Sequence, residues 1–440
     1  MENPPTTLLD LFSNSLVLRQ IAPYLPISSL LAVSALSKPL RTHIYAEPGA
    51  WRHLDLSGVS SAIVDSSPID VGGISWRHER MDEALTEDDF YSGPLRGIFS
   101  RLHSKQLLSN VYTLILDGLS VPADLIREIV AEDRYQVRIL SVREVKNLNH
   151  TKLNQVLRYA VRPTRPEGTP KLRAMYVFGP KSAPHSLNEP PLPSRPAPAP
   201  PTTGVTNSAG AQIGAHWNQQ SNAVLQSGLS EDDQAQWYGC TGRRKRHDGA
   251  RQTDVDWAST LQACKGLIAF DAVLCRGPRH DISKVNRAEL FLPPAIATIS
   301  LGPPGCEACG SCPEGPAVFG ESHESALPLL APPPSHASNV REAQRPVTDK
   351  NSPYPKLFIR CEECLRGRWC ERCNRWWCEN CYKEPTSRLL TPGQHSEMTE
   401  EFQGLGWDYA EFQQLKVHFE LCVENCLVGE MMMSADGYWG

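Results

Sequence analysis

The sequence predicts an α/β protein with an N-terminal helical module, an irregular strand–helix region with disordered insertions, and a small C-terminal cysteine-rich module. Three observations predict this class. Short amphipathic stretches separated by prolines fill the first 56 residues. Strand-like runs followed by helix-like runs then recur every 25 to 35 residues. Near the C-terminus, three C-x2-C pairs lie within 21 residues, from Cys361 to Cys381.

The first 56 residues predict short helices joined by tight turns, because Pro23, Pro26 and Pro39 interrupt the apolar stretches. About 50 residues cannot bury so broad an apolar surface alone, so we expect this module to dock onto a partner. The residues expected to contact that partner are Phe12, Leu16, Ile21, Leu25, Pro26, Leu30, Leu31, Val33, Leu36, Leu40 and Trp51.

These residues resemble the F-box family, whose pattern is a hydrophobic–Pro step, a helix, a Leu-Pro turn, a second helix and a terminal Trp. The sequence departs from it where Phe12-Ser13 replaces the usual Leu-Pro and where Pro23 falls inside the first long helix. The resemblance implies binding to a Skp-type linker protein of a cullin ubiquitin ligase. The alternative is a helical cap on the region that follows. The match rests on residues 24–26, 30–31, 33–40 and Trp51.

The region after the helical module predicts repeated strand–helix units. Residues 111–130 and 137–157 each read as a strand, a turn and a helix, and 171–180 begins a third unit. Two more strands are expected within 266–275 and 295–304. Such units resemble irregular leucine-rich repeats, which stack because no single unit buries its own apolar face. The alternative is an ordinary α/β domain with parallel strands.

Proline-rich stretches mark the expected boundaries between domains. They follow residue 181 and again precede the cysteine-rich module, and neither stretch can bury enough apolar area to offset the cost of ordering its backbone. The expected units are the F-box-like helical module (8–56), the first part of the repeat-like region (57–180), a disordered Pro-rich insertion (181–235), the second part of the repeat-like region (236–304), a disordered linker (305–352) and a zinc module with a closing helix (353–430).

The three C-x2-C pairs predict zinc rather than a packing role. Each pair aims two thiolates at one point, and zinc needs two such pairs for its tetrahedron. Three pairs therefore require two more ligands, which we place at Cys422 and Cys426 on an expected helix. His418 is the competing ligand and His395 a weaker one. The predicted set, for two structural zinc ions, is Cys361, Cys364, Cys370, Cys373, Cys378, Cys381, Cys422 and Cys426.

Two ways of joining these ligands fit the spacing. In a cross-brace, the pairs 361/364 and 378/381 share one ion and the pair 370/373 joins the helix pair on the other; this scheme is slightly favoured. In a sequential scheme, the first four cysteines share an ion. The spacing of the last four cysteines of the run resembles that of RING, MYND and in-between-RING zinc folds. The interleaved tryptophans could form a docking face or shield the thiolates.

The remaining cysteines are not expected to bind structural metal. Cys306, Cys309 and Cys312 form a cluster of three thiols, which cannot close a tetrahedron, so we interpret them as a loop. Cys264 and Cys275 are expected in the core and Cys240 is taken as ordinary.

The composition excludes several classes of function. The N-terminus lacks a basic segment before an unbroken apolar core, so we expect an intracellular protein of the cytoplasm, the nucleus or both, with reduced thiols. A net charge of −5 gives no bulk attraction to nucleic acid, so we do not expect it as a partner, and the sequence has no membrane-spanning apolar run. With no phosphate loop or nucleophile motif visible, we expect a non-catalytic adaptor with an unknown protein substrate. A zinc-finger interaction scaffold and a directly acting zinc-module ubiquitin ligase are the alternatives.

Overall fold

The N-terminal module packs four short helices around its own apolar core. The structure, a computed structural model, describes residues 7–63, 87–181, 254–285, 291–301, 304–335, 338–346, 353–382, 415–418 and 420–427. Side chains of Thr7, Asn14 and Ser37 accept the first backbone N–H groups of α1, α2 and α4, which fixes where these helices begin. The helices are α1 (Leu8–Ser13), α2 (Ser15–Ile21), α3 (Ile27–Leu36) and α4 (Lys38–Ala46), with 3-10 turns at Ala22–Tyr24 and Pro48–Trp51.

A sheet of five parallel strands follows directly, with neighbours in chain order. Helices connect successive strands, so each strand–helix unit stacks on the one before it. We call residues 53–63, 87–181 and 254–274 the repeat stack. Its elements are β1 (His53–Asp55), α5 (Glu87–Ser104), β2 (Thr113–Ile115), α6 (Ala123–Ala131), β3 (Ile139–Ser141), α7 (His150–Ala160), β4 (Ala174–Tyr176), α8 (Asp254–Cys264) and β5 (Ala269–Phe270), with 3-10 turns at Ser60–Ala62 and Leu108–Asn110.

The main core lies between this sheet and its helices. Alternate strand residues, such as Leu114, Leu140 and Met175, point to the helices and are fully buried. Leu125, Ile126 and Ile129 of α6 follow helical spacing and fill the same layer. The mixture of helices and a parallel sheet expected from the sequence is thereby confirmed.

Buried carboxylates join neighbouring units of the repeat stack at the ends of the strands. Asp271 accepts backbone N–H groups of Val177, Phe178 and Gly179 at 2.7 to 3.1 Å. Asp117 accepts the backbone N–H of Arg143 at 2.9 Å and pairs with its guanidinium at 2.6 Å. These carboxylates satisfy buried donors that would otherwise destabilise the stack.

The sheet face opposite the helices is covered by a segment of the chain itself. We call residues 327–331 and 338–344 the covering segment. Leu329 donates its backbone N–H to Phe270 at 2.8 Å, and the Tyr176 hydroxyl donates to the Ala331 carbonyl at 2.8 Å. Leu329 and Ala343 are buried against the sheet, and α9 (Val340–Ala343) lies in this segment. The expectation of a disordered linker at 305–352 is therefore wrong for these residues, because the exposed sheet face offers their apolar side chains a binding site.

The C-terminal module is built from small antiparallel pairs. Strand β6 (Ile299–Leu301) pairs with β7 (Phe358–Arg360), and β8 (Val417–His418) pairs with β9 (Leu421–Cys422). A strand does form within the predicted range 295–304, but it is not a strand of the repeats. Ile299–Leu301 pairs instead with β7 of the cysteine-rich module. The expected closing helix is instead this last hairpin, followed by a π-helical turn. The remaining elements are α10 (Glu362–Leu365), 3-10 turns at Pro278–His280 and Glu324–Ala326, and the turn Val423–Leu427.

Several expectations fall on residues that the structure does not describe. Apart from Lys181, the Pro-rich insertion predicted at 181–235 lies outside the described residues, as do Cys240 and His395. In the described part of the chain, no helix has the length and apolar character needed to cross a membrane.

Candidate metal centres

Among the residues that the structure describes, cysteine and histidine side chains converge in three separate clusters of four. In each cluster all four potential ligand atoms lie within 4.8 Å of one another. We call Cys275, His280, Cys361 and Cys364 cluster A; Cys306, Cys309, Cys378 and Cys381 cluster B; and Cys370, Cys373, Cys422 and Cys426 cluster C.

Cluster A joins the end of the repeat stack to the cysteine-rich module. Cys275 and His280 follow β5, while Cys361 and Cys364 follow β7. The Cys275 and Cys364 sulfurs are 3.8 Å apart, and His280 Nε2 is 3.2 Å from the Cys361 sulfur. A tetrahedral zinc ion with Zn–S bonds near 2.3 Å sets sulfurs about 3.8 Å apart, so the spacing fits such an ion. Disulfide-bonded sulfurs would lie at about 2.05 Å.

Cluster B depends on a tight glycine turn in the segment interpreted from sequence as a loop. Gly305 has φ +83°, and a Cβ there would lie 2.6 Å from the Gly310 carbonyl oxygen. The turn brings the Cys306 sulfur to 3.2 Å from the backbone nitrogen of Cys378, which donates to it. Cys309 and Cys378 sulfurs are 3.8 Å apart, again the edge of a zinc tetrahedron.

Cluster C closes through the C-terminal hairpin. Cys422 ends β9 and Cys426 lies in the following π-helical turn, so both sulfurs face the pair Cys370 and Cys373. The Cys373 and Cys422 sulfurs are 3.6 Å apart, and Cys426 donates its backbone N–H to the Cys422 sulfur at 3.4 Å. His418, the competing ligand considered from sequence, lies in β8 and does not belong to the cluster.

The neighbours of the ligands favour one charged sulfur in cluster A, that of Cys275. The hydrogen bonds with this sulfur raise the pKa of Cys361 to about 12 and hold that of Cys364 above its usual range. Burial raises the pKa of Cys275, but hydrogen bonds with Cys361, Cys364 and His280 outweigh it and hold that pKa well below its usual range. Burial lowers the pKa of His280, whereas its hydrogen bonds with Cys275 and Cys364 raise it to about 10. The site thus stabilises a thiolate next to a positive charge. A divalent cation bound there would take the place of the protons on these ligands.

A buried ion network connects the ligands of different clusters. The Arg360 guanidinium, which precedes Cys361, pairs with Glu314 at 2.6 Å and also with Glu379. Glu379 lies between Cys378 and Cys381 and pairs with Arg368 at 2.9 Å. Arg368 in turn donates to the carbonyl of Cys364. These contacts hold the ligand loops of clusters A and B against each other.

The aromatic residues among the ligands are buried. Trp369, Trp376, Trp377 and Tyr382 pack with the cysteines of clusters B and C in one apolar core. Of the two roles considered from sequence, a docking face and a shield for the thiolates, their burial favours the shield. Exclusion of water around sulfur ligands strengthens metal binding.

The structure brings all eight sequence-predicted ligands into clusters, but three ions would fit rather than two. The structure joins the pair Cys370 and Cys373 with the pair Cys422 and Cys426, as in the cross-brace scheme. It does not join 361/364 with 378/381, because each pair meets an earlier pair in the chain.

Four ligands were missed from the sequence. Cys306 and Cys309 form an ordinary C-x2-C pair. With Cys312 three residues further on, the segment was interpreted as a group of three thiols instead. Cys312 is buried outside the clusters, and burial together with Glu314 raises its pKa to about 12. Cys275 and His280 were missed because Cys275 ends an apparent repeat strand. Their C-x4-H spacing was the available signal.

The predicted partner-binding residues of the N-terminal module divide into two groups. Phe12, Leu30, Leu40 and Trp51 are buried in the core of the module, so they stabilise it and cannot face a partner. Leu16, Pro26, Leu31 and Leu36 are exposed. The others, Ile21, Leu25 and Val33, are half-buried.

No protein-family model matches this chain, and no curated protein matches it.

Proposed function

We propose that this chain is a non-catalytic substrate adaptor of a Skp–cullin–F-box-type ubiquitin ligase. In this proposal the N-terminal module binds the Skp-type linker, and the repeat stack with the cysteine-rich module binds a protein target. The observation that carries it is an apolar face left exposed on α3.

This exposed face is formed by residues at i, i+1, i+4 and i+5 of one helix, namely Leu31, Ala32, Ala35 and Leu36. Residues at this spacing share one side of a helix. All four are exposed, with Leu36 at 68%, although the module buries its own core elsewhere. An apolar surface that a closed core does not use is typical of a protein interface.

For the three clusters we propose structural zinc. Four protein ligands per ion leave no open position for a substrate, which distinguishes structural zinc from catalytic zinc. The ligand chemistry supports zinc, since four thiolates, or three thiolates and one imidazole, that lie within 4.8 Å of one another suit the tetrahedral coordination of this metal. In this role each ion would fix a part of the target-binding surface.

The adaptor function is tested by pull-down of the purified full-length chain with a Skp-type linker protein. We expect Leu31→Asp/Leu36→Asp to reduce binding about 100-fold or more, because two charges enter an apolar interface. The matched control is Tyr159→Asp, which also replaces an exposed apolar side chain but lies on α7, outside the module. The control should bind as tightly as the unmodified chain.

Other outcomes distinguish the alternatives. No binding of the linker by the unmodified chain overturns the adaptor function and leaves the zinc-finger scaffold. Ubiquitin transfer by the chain with a conjugating enzyme, without cullin, would instead show a directly acting ligase. Metal analysis that finds no zinc in the purified protein would overturn the proposal for the clusters.

A further inference from the structure

The three clusters differ in how far solvent reaches their sulfur atoms. Cluster B has two exposed cysteines, Cys309 and Cys381, whereas cluster C has one, Cys373. In cluster A the three cysteines are buried and His280 is half-buried. Oxidation of a cysteine requires thiolate character and access for the oxidant. Cluster B is therefore the cluster that an oxidant in solution reaches most readily.

The two exposed cysteines of cluster B belong to different C-x2-C pairs. Cys309 ends the pair that follows the Gly305 turn, and Cys381 ends the pair that begins at Cys378. The sulfur atoms of Cys309 and Cys381 lie within 4.8 Å of each other. A relative movement of less than about 3 Å would bring them to the disulfide bond length of about 2.05 Å. An oxidised sulfur at one position thus has a partner thiol within reach.

The other two ligands of cluster B are buried and cannot hold a metal ion by themselves. Cys306 is 2% exposed and Cys378 is 1% exposed. A structural zinc site has four protein ligands, so a disulfide between the two exposed cysteines would leave only half of the site. Disulfide formation at this cluster would therefore release its ion.

Cluster B attaches the loop at 304–312 to the rest of the cysteine-rich module. Beyond the ligands, Glu307 of this loop donates its backbone N–H to the Trp376 carbonyl at 2.8 Å. The Glu307 carboxylate also pairs with Arg375 at 3.7 Å, but both side chains are exposed. An ion pair on the surface contributes little to stability. An ion shared by both C-x2-C pairs would thus carry much of the attachment, and its release would loosen the loop.

We propose that Cys309 and Cys381 form a reversible oxidation site, at which hydrogen peroxide converts their two thiolates into one disulfide and the ion of cluster B is released. Clusters A and C keep their ions under the same conditions, so the repeat stack stays joined to the cysteine-rich module. The inference rests on the structural zinc proposed above. It adds that the loop at 304–312 changes its attachment when the protein meets peroxide.

The oxidation proceeds in two steps, and peroxide takes up both electrons. In the first step one exposed thiolate attacks a peroxide oxygen, the O–O bond breaks, and the hydroxide that leaves takes a proton and becomes water. The sulfur is then a sulfenic acid. In the second step the other exposed thiolate attacks this sulfur, the S–S bond forms, the S–O bond breaks, and the second hydroxide becomes water. The sum is two thiolates, one peroxide and two protons giving one disulfide and two waters.

Zinc release is measured with the purified full-length, zinc-containing chain, hydrogen peroxide and a chromogenic zinc indicator. We expect one of the three ions to leave at least about tenfold faster than the other two, because its ligands are the most accessible. After alkylation of the free thiols, peptide mapping by mass spectrometry should show a disulfide between Cys309 and Cys381. Reduction with dithiothreitol in the presence of zinc should restore the third ion.

Histidine variants test which cluster releases its ion. Cys381→His keeps four ligands, because an imidazole also binds zinc, but it removes one thiol of the proposed disulfide. This variant should bind three ions and lose the fast release. The matched control, Cys373→His, makes the same change at the exposed cysteine of cluster C and should keep the fast release. Cys309→His replaces Cys381→His if the latter binds fewer than three ions, and the disulfide map of the unmodified chain decides if both do.

Three results would overturn the inference. These are release of all three ions at the same rate, a first disulfide within cluster A or cluster C, or a fast release that persists in a histidine variant of cluster B with three bound ions. A chain that is purified without zinc would instead overturn the proposal of structural zinc. Absence of linker binding in a chain that shows the fast release would overturn the adaptor function alone.

Discussion

Buried cysteines in this protein differ in what surrounds their sulfur atoms. Cys264 ends α8 inside the main apolar core, and burial raises its pKa to about 12. Cys275 is equally buried but lies among two thiols and an imidazole. The same residue type is therefore a neutral core side chain at one position and a candidate metal ligand eleven residues later.

The contrast predicts different metal contents for two serine variants. Metal analysis of the unmodified chain should give three zinc ions, one for each cluster. Cys275→Ser should lose the zinc ion of cluster A, because a neutral hydroxyl is a weaker ligand than a thiolate. Cys264→Ser should retain all three ions. Equal zinc contents in the two variants would contradict the assignment of cluster A.

Two half-buried histidines predict a loss of stability in acid. Burial is the largest influence on His53 and His150 and lowers both pKa values below 6.5. Their buried Nδ1 atoms have no hydrogen-bond partner among the described residues. Both imidazoles are therefore neutral in the folded chain, and the unfolded chain binds protons first as the pH falls. Their contribution is fully present above about pH 6.5 and decreases below it.

Urea unfolding at several pH values checks this expectation. Between about pH 7 and about pH 5, the double variant His53→Leu/His150→Leu should lose less stability than the unmodified chain. The exposed His43 provides the control, since His43→Leu should leave the pH dependence unchanged. An unchanged acid dependence in the double variant would show that other groups cause it.

Among the secondary structure elements, β7 carries the charge network that holds the ligand loops together. Arg360 is only 1% exposed and pairs with two carboxylates, Glu314 and Glu379. Arg366 also forms an ion pair, with Glu363 at 2.5 Å, but both side chains are about half exposed. The two arginines are six positions apart in the same module. Replacing each in turn therefore compares a buried ion pair with a surface ion pair.

Replacing Arg360 by methionine should destabilise the cysteine-rich module by about 3–5 kcal/mol, because the buried Glu314 loses its counter-charge and Glu379 keeps only Arg368. Replacing Arg366 by methionine should cost less than about 1 kcal/mol, since surface pairs contribute little. Urea unfolding followed through the buried tryptophans measures both values. A cost for Arg366→Met as large as that for Arg360→Met would contradict this interpretation of the network.

Local elements of this chain could largely be predicted from sequence, and their partners could not. The strand–turn–helix pattern at β2–α6 and β3–α7 is visible because strand and helix periodicities follow one another directly. Ile299–Leu301 has the same strand pattern, but its antiparallel partner lies far along the chain at β7. The hairpin at 417–422 was mistaken for a helix because ligands four residues apart also fit a helical face.

At the scale of the whole molecule, the ligand clusters link segments that are far apart in the sequence. Their pairs interleave in the order A, B, A, C, B, C. The spacing of the pairs predicts metal binding, but it does not predict which pairs meet, because that depends on how the chain between them folds. The covering segment shows the same limit, since its composition predicts disorder while the sheet supplies its binding site.

Removal of metal should affect the molecule unevenly. Chelation should unfold residues 291–301, 353–382, 415–418 and 420–427, since apparent zinc binding to finger peptides is worth about 10–16 kcal/mol of folding free energy. The strands β1–β4 should remain folded because their contacts are within the repeat stack. Hydrogen exchange with and without chelator measures this difference. Equal loss of protection in both regions would show a single cooperative unit.

The interleaved order of the ligand pairs also determines when each cluster can form during synthesis of the chain. Synthesis proceeds from the N-terminus, and the repeat stack can fold as it emerges because its contacts join neighbouring units. No cluster can close before its second pair has left the ribosome, and Cys426 is the last ligand of all. Until its own cluster closes, each earlier thiol is open to oxidation and to binding of other metals. If the clusters hold zinc as proposed, correct assembly depends on reducing conditions and a zinc supply that last until translation has passed Cys426.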